Sequence, residues 1–383
     1  MRRTALLATA GVLSLLSSAR PSQEPEAAPR PAHLFVLAGQ SNMVGADADL
    51  SELDPTQHPR SAAIRFFIDG EWRELEAGLG QGRGFGPEVG FGVLMERFLG
   101  EPIGLIKVAR GGTGLANEWA PGAELRTRLY AEVDQALAAL GEGPPPIAGV
   151  LWMQGERDSR NPEHAKQYAR HLEGWITALR AEFESKRLPF VAGRVNPVAE
   201  HGFPHVAQVR EAIESCRARP YAYVDCDDLT KVDDELHYDA GGTLRLGERF
   251  AAHLAAISPE LLVASDRELK GTFPVGRPLE DRSGGTWSVE RFQGGRLAVR
   301  RPSLQGAGEL VFSLEIDDGV IEGGTLEYRD TPAPMEVRNF ECTGALRPGR
   351  LLLAYRCEIF NTVREGAEWR PFNRVVSLIP VGD

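Results

Sequence analysis

Cysteine is scarce: four in 383 residues, too few for the disulfide framework of a small secreted scaffold. Positive charge is also short, with 43 basic against 54 acidic side chains and a formal charge of -11. A surface that neutralises many phosphates needs the opposite sign, which argues against nucleic acid as a partner. The chain holds no run of about 20 apolar residues, no repeat of fixed period and no low-complexity block. It also lacks the His-Glu-x-x-His of a helical zinc site. His201 and His205 are four apart, but Gly202 and Pro204 between them break any shared helical face. Around Ser41 the Gly-x-Ser-x-Gly elbow is missing, because position 43 is methionine. These absences leave neither a metal hydrolase nor a lipase of the elbow type in favour.

What is present is the composition of an ordinary globular chain, 42% apolar and 25% charged. Arg2 and Arg3 precede an apolar run from Ala5 to Leu16, followed by Ser17, Ser18 and Ala19. That pattern predicts a signal peptide over residues 1–19 and an exported protein, periplasmic or extracellular in a bacterium. No cysteine stands near the cleavage point to carry a lipid, so no stable membrane anchor is expected. Residues 20–31, rich in Pro, Glu and Ala, read as a solvated tether. Export permits disulfides, and the redox state of Cys216, Cys226, Cys342 and Cys357 stays open.

From residue 32 to about 260, short β-rich runs alternate with segments of helical period. The runs are His33 to Ala38, Ile103 to Val108, Ile147 to Met153, Pro189 to Gly193 and Tyr221 to Asp225, each continuous enough to be buried on both faces. They predict a five-stranded parallel sheet inside a three-layer α/β/α sandwich. Between them Leu125, Leu129, Val133, Leu137 and Leu140 recur at helical spacing, and Asn161-Pro162 opens a further helix. Phe203 to Cys216 is another helix candidate, and Asp239 is expected to cap a last one reaching Ile257. A hairpin turning at Asp69-Gly70 is expected at the periphery. In residues 266–383 helical period gives way to short alternating runs separated by Gly and Pro, which predicts a smaller all-β domain, sandwich or barrel. Its aromatic residues Trp287, Phe292, Phe312, Tyr328 and Phe340 read as core candidates, and its task is either glycan recognition or a structural cap.

Ligands of an open parallel sheet bind beyond the carboxyl ends of its strands. The segments there read Gly39-Gln40-Ser41-Asn42-Met43, Ala109-Arg110-Gly111-Gly112-Thr113, Gln154-Gly155-Glu156 and Asp234-Glu235-Leu236-His237. Acyl transfer needs a nucleophile, a base, a group to orient the base, and donors for the oxyanion. Ser41 is the candidate nucleophile, His237 the base and Asp234 its orienting acid, three residues earlier. The N–H groups of Ser41 and Gly112 and the side-chain amide of Gln154 are the expected oxyanion donors, with Gly111 an alternative to Gly112. Gln40, Asn42 and Glu156 are expected to support them, Glu156 as an organiser rather than a catalytic acid.

These blocks, together with Lys107-Val108-Ala109 and Trp152-Met153, resemble those of the SGNH hydrolases over about residues 32 to 255. The similarity is greatest to sialate O-acetylesterases and acetylxylan esterases of the carbohydrate esterase family 6 kind. Phe85-Gly86-Pro87-Glu88 is similar to a further segment of these enzymes. The resemblance implies a flavodoxin-like sandwich, serine esterase chemistry on acetylated oligosaccharides or polysaccharides, and no metal or organic cofactor. The alternative is a non-catalytic glycan-binding protein on the same scaffold, against which the full set of nucleophile, base and amide argues. Substrate loops vary too freely for the sugar or its acetyl position to follow from the chain, and oligomeric state leaves no mark in it.

Overall fold

Buried apolar runs lay down the sheet that carries everything else. The computed structural model describes residues 28–381 apart from 56, 60, 80–83, 263–268, 270, 303–307, 331–334 and 362–368. The leader expected at 1–19, most of the tether at 20–31 and the expected domain start at Asp266 lie outside the described residues.

Strands β1 (His33–Gly39), β2 (Ile64–Ile68), β3 (Glu71–Glu74), β4 (Ile103–Ala109), β5 (Ile147–Met153), β6 (Phe190–Gly193) and β7 (Tyr221–Val224) form one sheet in the order β3-β2-β4-β1-β5-β6-β7. The five expected strands are parallel and follow the order of a flavodoxin-like sheet. The hairpin lies at the periphery, as expected, but as part of the same sheet. β2 pairs parallel with β4 and buries Phe66 and Phe67, so β3 becomes the antiparallel edge of a seven-stranded sheet. Asp69 and Gly70 both take positive φ, 53° and 80°, as a tight two-residue turn requires.

The helices are α1 (Ser41–Val44), α2 (Glu88–Leu99), α3 (Glu124–Ala139), α4 (Pro162–Glu182), α5 (Val206–Glu214) and α6 (Ala240–Ala256). Asn161 caps α4 by accepting the N–H groups of Glu163 and His164. Along α4 the buried stripe is Ala165, Tyr168, Leu172, Trp175, Ile176 and Leu179, and each large member contributes about 1.5–3 kcal/mol by leaving water. β5 shows why both faces of the sheet are covered. Trp152 packs on Trp175 of α4, while Gly149, on the opposite side of the pleat, faces Leu254 of α6. Helices α2 and α6 meet almost backbone to backbone, since a Cβ on Gly90 would lie 2.2 Å from the Leu244 oxygen and one on Gly247 2.1 Å from the Pro87 oxygen.

The C-terminal part resolves the choice between sandwich and barrel. Strands β8 (Pro278–Glu280), β9 (Thr286–Gln293), β10 (Arg296–Pro302), β11 (Glu309–Asp317), β12 (Val320–Arg329), β13 (Met335–Arg347), β14 (Arg350–Asn361) and β15 (Trp369–Pro380) close a barrel. On β14 the inward residues Leu351, Leu353, Tyr355 and Cys357 join the barrel core. Leu352 and Ala354 point the other way, are buried, and belong to the core of the α/β part. The barrel wall therefore completes the layer of α2 and α6. Polar contacts tighten the seam: Arg356 donates to Asp225 at 3.1 Å, Asn373 to Asp228 at 3.3 Å, and Arg282 pairs with Glu248 at 2.7 Å. Trp287 and Phe312 lie wholly inside the barrel, with Phe292, Tyr328 and Phe340 packed against them. All four cysteines are free thiols.

Candidate active site

The serine stands where the sheet forces a sharp exit. A Cβ on Gly39, whose φ is +156°, would fall 2.1 Å from the Met153 oxygen, so only glycine lets β1 end this close to β5. Gln40 N–H then donates to that same Met153 oxygen at 2.9 Å, and Ser41 opens α1, leaving its N–H without an intrahelical acceptor. A buried ion pair holds the far end of α1. Lys107 Nζ lies 2.7 Å from Glu88 Oε2 and donates to the Val44 oxygen at 3.3 Å, while Glu88 Oε1 accepts the Gly86 N–H.

The histidine arrives on the loop between β7 and α6. Its base is closed by a bridge between Lys231 and Tyr238, and Glu235, at φ 54°, turns the chain back so that Asp234 meets His237. Asp234 Oδ1 accepts the N–H groups of Leu236 and His237 at 2.8 and 2.9 Å, and Oδ2 lies 2.5 Å from His237 Nδ1. Burial raises the Asp234 carboxyl, but these backbone and imidazole contacts outweigh it and hold its pKa below the ordinary value. His237 Nε2 lies 2.9 Å from Ser41 Oγ. Asn42 joins the two loops: Nδ2 donates to Leu236 O at 3.2 Å and to Glu156 Oε1 at 2.9 Å, and Oδ1 accepts the Tyr238 N–H at 3.1 Å.

Gln154 is turned away from the cleft, which corrects the expectation that its amide faces an oxyanion. It is fully buried, and its Nε2 donates to Asp158 Oδ2 at 2.7 Å, Thr113 O at 3.0 Å and Gln40 Oε1 at 3.2 Å. Two N–H groups with three protein acceptors have nothing left for a ligand. The amide of Gln40 is fixed instead, since its Oε1 also accepts the Arg157 N–H, and the side chain lines the cleft. Gly112, at φ 69°, and Gly111, whose Cβ position is 3.7 Å from Ser41 Cβ, border the cleft with the serine. Glu156 is buried; desolvation pushes its carboxyl up despite the Asn42 hydrogen bond, and Oε2 has no protein partner among the described residues.

The cleft measures about 420 Å³ and is also lined by Arg157, Arg160, Phe203 and Leu236. Arg160 stacks on Phe203 with its guanidinium carbon 4.4 Å from the ring centre. Among the described residues neither guanidinium has a carboxylate partner, and both are exposed. Sequence reasoning missed these arginines, and it missed Asp47, whose Oδ2 lies 3.0 Å from His237 Nδ1. Both arginines were within its reach, because Arg157 directly follows the Gln-Gly-Glu block and Arg160 stands three residues further on. The side-chain ends of Asp47, Asp234 and His237 also lie within 4.8 Å of one another, close enough that a cation could be held between them. A cation there would take Nδ1, forcing the ring proton onto Nε2 and removing the acceptor that faces Ser41.

A model of the family described as carbohydrate esterase, sialic acid-specific acetylesterase matches residues 31–256. A probable carbohydrate esterase of Arabidopsis thaliana is 28% identical over 237 residues, 57% of this chain and 88% of its own length. The X-ray structure of an Arabidopsis thaliana protein superimposes with a TM-score of 0.52 at 26% identity, covering 59% of this chain and 99% of that one. A carbohydrate acetylesterase from Xanthomonas citri aligns over 91% of this chain and 73% of its own at 17% identity and a TM-score of 0.45. With more than half of its length matched, the chain belongs to the sialic acid-specific acetylesterase family of carbohydrate esterases.

Proposed function

We propose that this protein is an exported serine esterase that removes O-acetyl groups from carbohydrates through Ser41, His237 and Asp234. The observation that carries the reading is the 2.9 Å contact between Ser41 Oγ and His237 Nε2, with Nδ1 held by Asp234. In that tautomer Nε2 accepts the serine proton as Oγ attacks the acetyl carbonyl. The carbonyl oxygen becomes an oxyanion, for which the free N–H of Ser41 and the N–H of Gly112 supply donors. Gln40 takes the part first given to Gln154: its oxygen is anchored, which leaves its N–H groups for the cleft. The imidazolium then protonates the sugar oxygen, the alcohol leaves, and water activated by the same ring releases acetate.

Two arginines beside the nucleophile, without a carboxylate partner among the described residues, favour an acetylated sugar that carries a carboxylate, consistent with the sialic acid named in the family description. Ser41→Ala should lower hydrolysis of a chromogenic acetate ester at least about a thousandfold. Full activity in that variant would remove Ser41 as the nucleophile, and absence of hydrolysis by the parent protein would leave a glycan-binding protein as the better reading. Acetate release from acetylated sialic acid, acetylated xylan and a neutral acetylated oligosaccharide ranks the substrates.

A further inference from the structure

His237 Nδ1 carries one proton, yet two carboxylates stand against it. Asp234 Oδ2 is at 2.5 Å and Asp47 Oδ2 at 3.0 Å. The two come from different places: Asp234 from the loop of the histidine, Asp47 from the turn that follows α1, just beyond the serine. Gly45, in the left-handed region at φ 80°, ends α1 and swings the chain so that Asp47 faces the imidazole. Among the described residues His237 is the one ion-pair partner of Asp47, whose carboxylate also lies within 4.8 Å of that of Asp234. Asp234 is differently committed, with Oδ1 occupied by two backbone N–H groups and only Oδ2 free for the ring.

We infer that Asp47 is a positioning residue for His237, a second carboxylate that steadies the imidazolium and takes over the Nδ1 proton when Asp234 is removed. The inference rests on the serine esterase reading above. In the resting enzyme the Nδ1–H points at Asp234. As Nε2 accepts the serine proton, the ring gains a full positive charge 3.0 Å from a carboxylate that has no other ion pair among the described residues. Both carboxylates are close to half exposed, 46% for Asp47 and 44% for Asp234, so water weakens the attraction without removing it. The other titratable groups facing the ring are Ser41 at Nε2 and buried Glu156 behind it, with Lys231 at the loop base and Arg157 and Arg160 across the cleft. Removing Asp47 changes one negative charge in this set and leaves the hydrogen bond between Asp234 and His237 in place.

The test is the set Asp47→Asn, Asp234→Asn and their double variant, with Asp47→Glu as the conservative change and Ser41→Ala alongside. Hydrolysis of a chromogenic acetate ester is followed from pH 5 to 9. Asp47→Asn is expected to lower kcat about three- to tenfold with KM unchanged, and to move the acid limb of the profile to lower pH, because the imidazolium loses a stabilising charge. Asp47→Glu should restore the position of that limb. Asp234→Asn should keep measurable activity, and the double variant should be at least about tenfold slower than Asp234→Asn. A double variant no slower than Asp234→Asn, or an unshifted limb in Asp47→Asn, overturns the role of Asp47 while the esterase reading stands, provided Ser41→Ala is inactive. Undiminished activity in Ser41→Ala removes the esterase reading and this inference with it.

Discussion

Asn42 and Tyr238 are joined by a hydrogen bond of 3.1 Å across nearly two hundred residues of sequence, from the backbone N–H of Tyr238 to the side-chain oxygen of Asn42. With the bond from Asn42 Nδ2 to Leu236 O, this clamps the chain on both sides of His237. The residue next to the nucleophile thus sets the position of the base. Asn42→Ala should lower kcat about 10- to 100-fold with a smaller effect on KM, since a shift of about 1 Å between reacting groups is enough for that loss. An unchanged kcat in the variant would mean that the loops hold their register without the clamp.

The pair Lys107–Glu88 fixes the other end of the serine turn with both side chains almost wholly out of water. Lys107→Met leaves the Glu88 carboxylate buried and unpaired, and should cost about 3–5 kcal/mol in denaturant unfolding. Adding Glu88→Leu should recover much of that stability, because the uncompensated charge is gone. Recovered stability without recovered activity is expected too, since the double variant still lacks the bond from Lys107 to Val44.

At the seam, His253 lies beneath the barrel wall and donates its Nδ1–H to Arg249 O at 2.9 Å. Burial is the main cause of its depressed pKa, down to about 4. A folded value below the unfolded one means that the unfolded chain binds more protons between about pH 4 and 6.5, so this contribution to stability is lost as pH falls through that window. The loss amounts to at most about 3 kcal/mol. Melting temperatures measured from pH 7 to 4.5 should fall more steeply in the parent protein than in His253→Gln. Parallel curves would assign the acid sensitivity to other groups.

Arg157 and Arg160 offer a direct reading of substrate charge. The double variant Arg157→Met/Arg160→Met should raise KM about tenfold or more for acetylated sugars bearing a carboxylate and leave a small neutral acetate ester nearly unchanged. Equal effects on both would place the arginines in maintaining the cleft rather than in reading charge.

Much of this site is legible in the chain because its pieces sit at strand ends. A run such as Ile147 to Met153 is continuous enough to mark a strand buried on both faces, and whatever follows it must emerge at the ligand-binding rim. The Asp234-x-x-His237 spacing carries its own geometry, since a three-residue turn brings the carboxylate to the ring. Direction is what sequence does not encode. Gln154 stands at the expected place but points behind the serine, drawn by buried Asp158 and by Thr113 O, neither of which marks the sequence around it. Asp47 depends on how Gly45 ends a four-residue helix. The partner of β2 was likewise hidden, because Phe66 and Phe67 find β4 through a pairing set by the whole sheet rather than by their own neighbours.

The most direct measurement is covalent. A fluorophosphonate, which reacts with an activated serine, is incubated with the parent protein and with His237→Ala, and labelled peptides are located by mass spectrometry. One label on Ser41, strongly reduced in His237→Ala, is the expected result. A label on another residue, or equal labelling of Ser41 in both proteins, would contradict activation of this serine by this histidine.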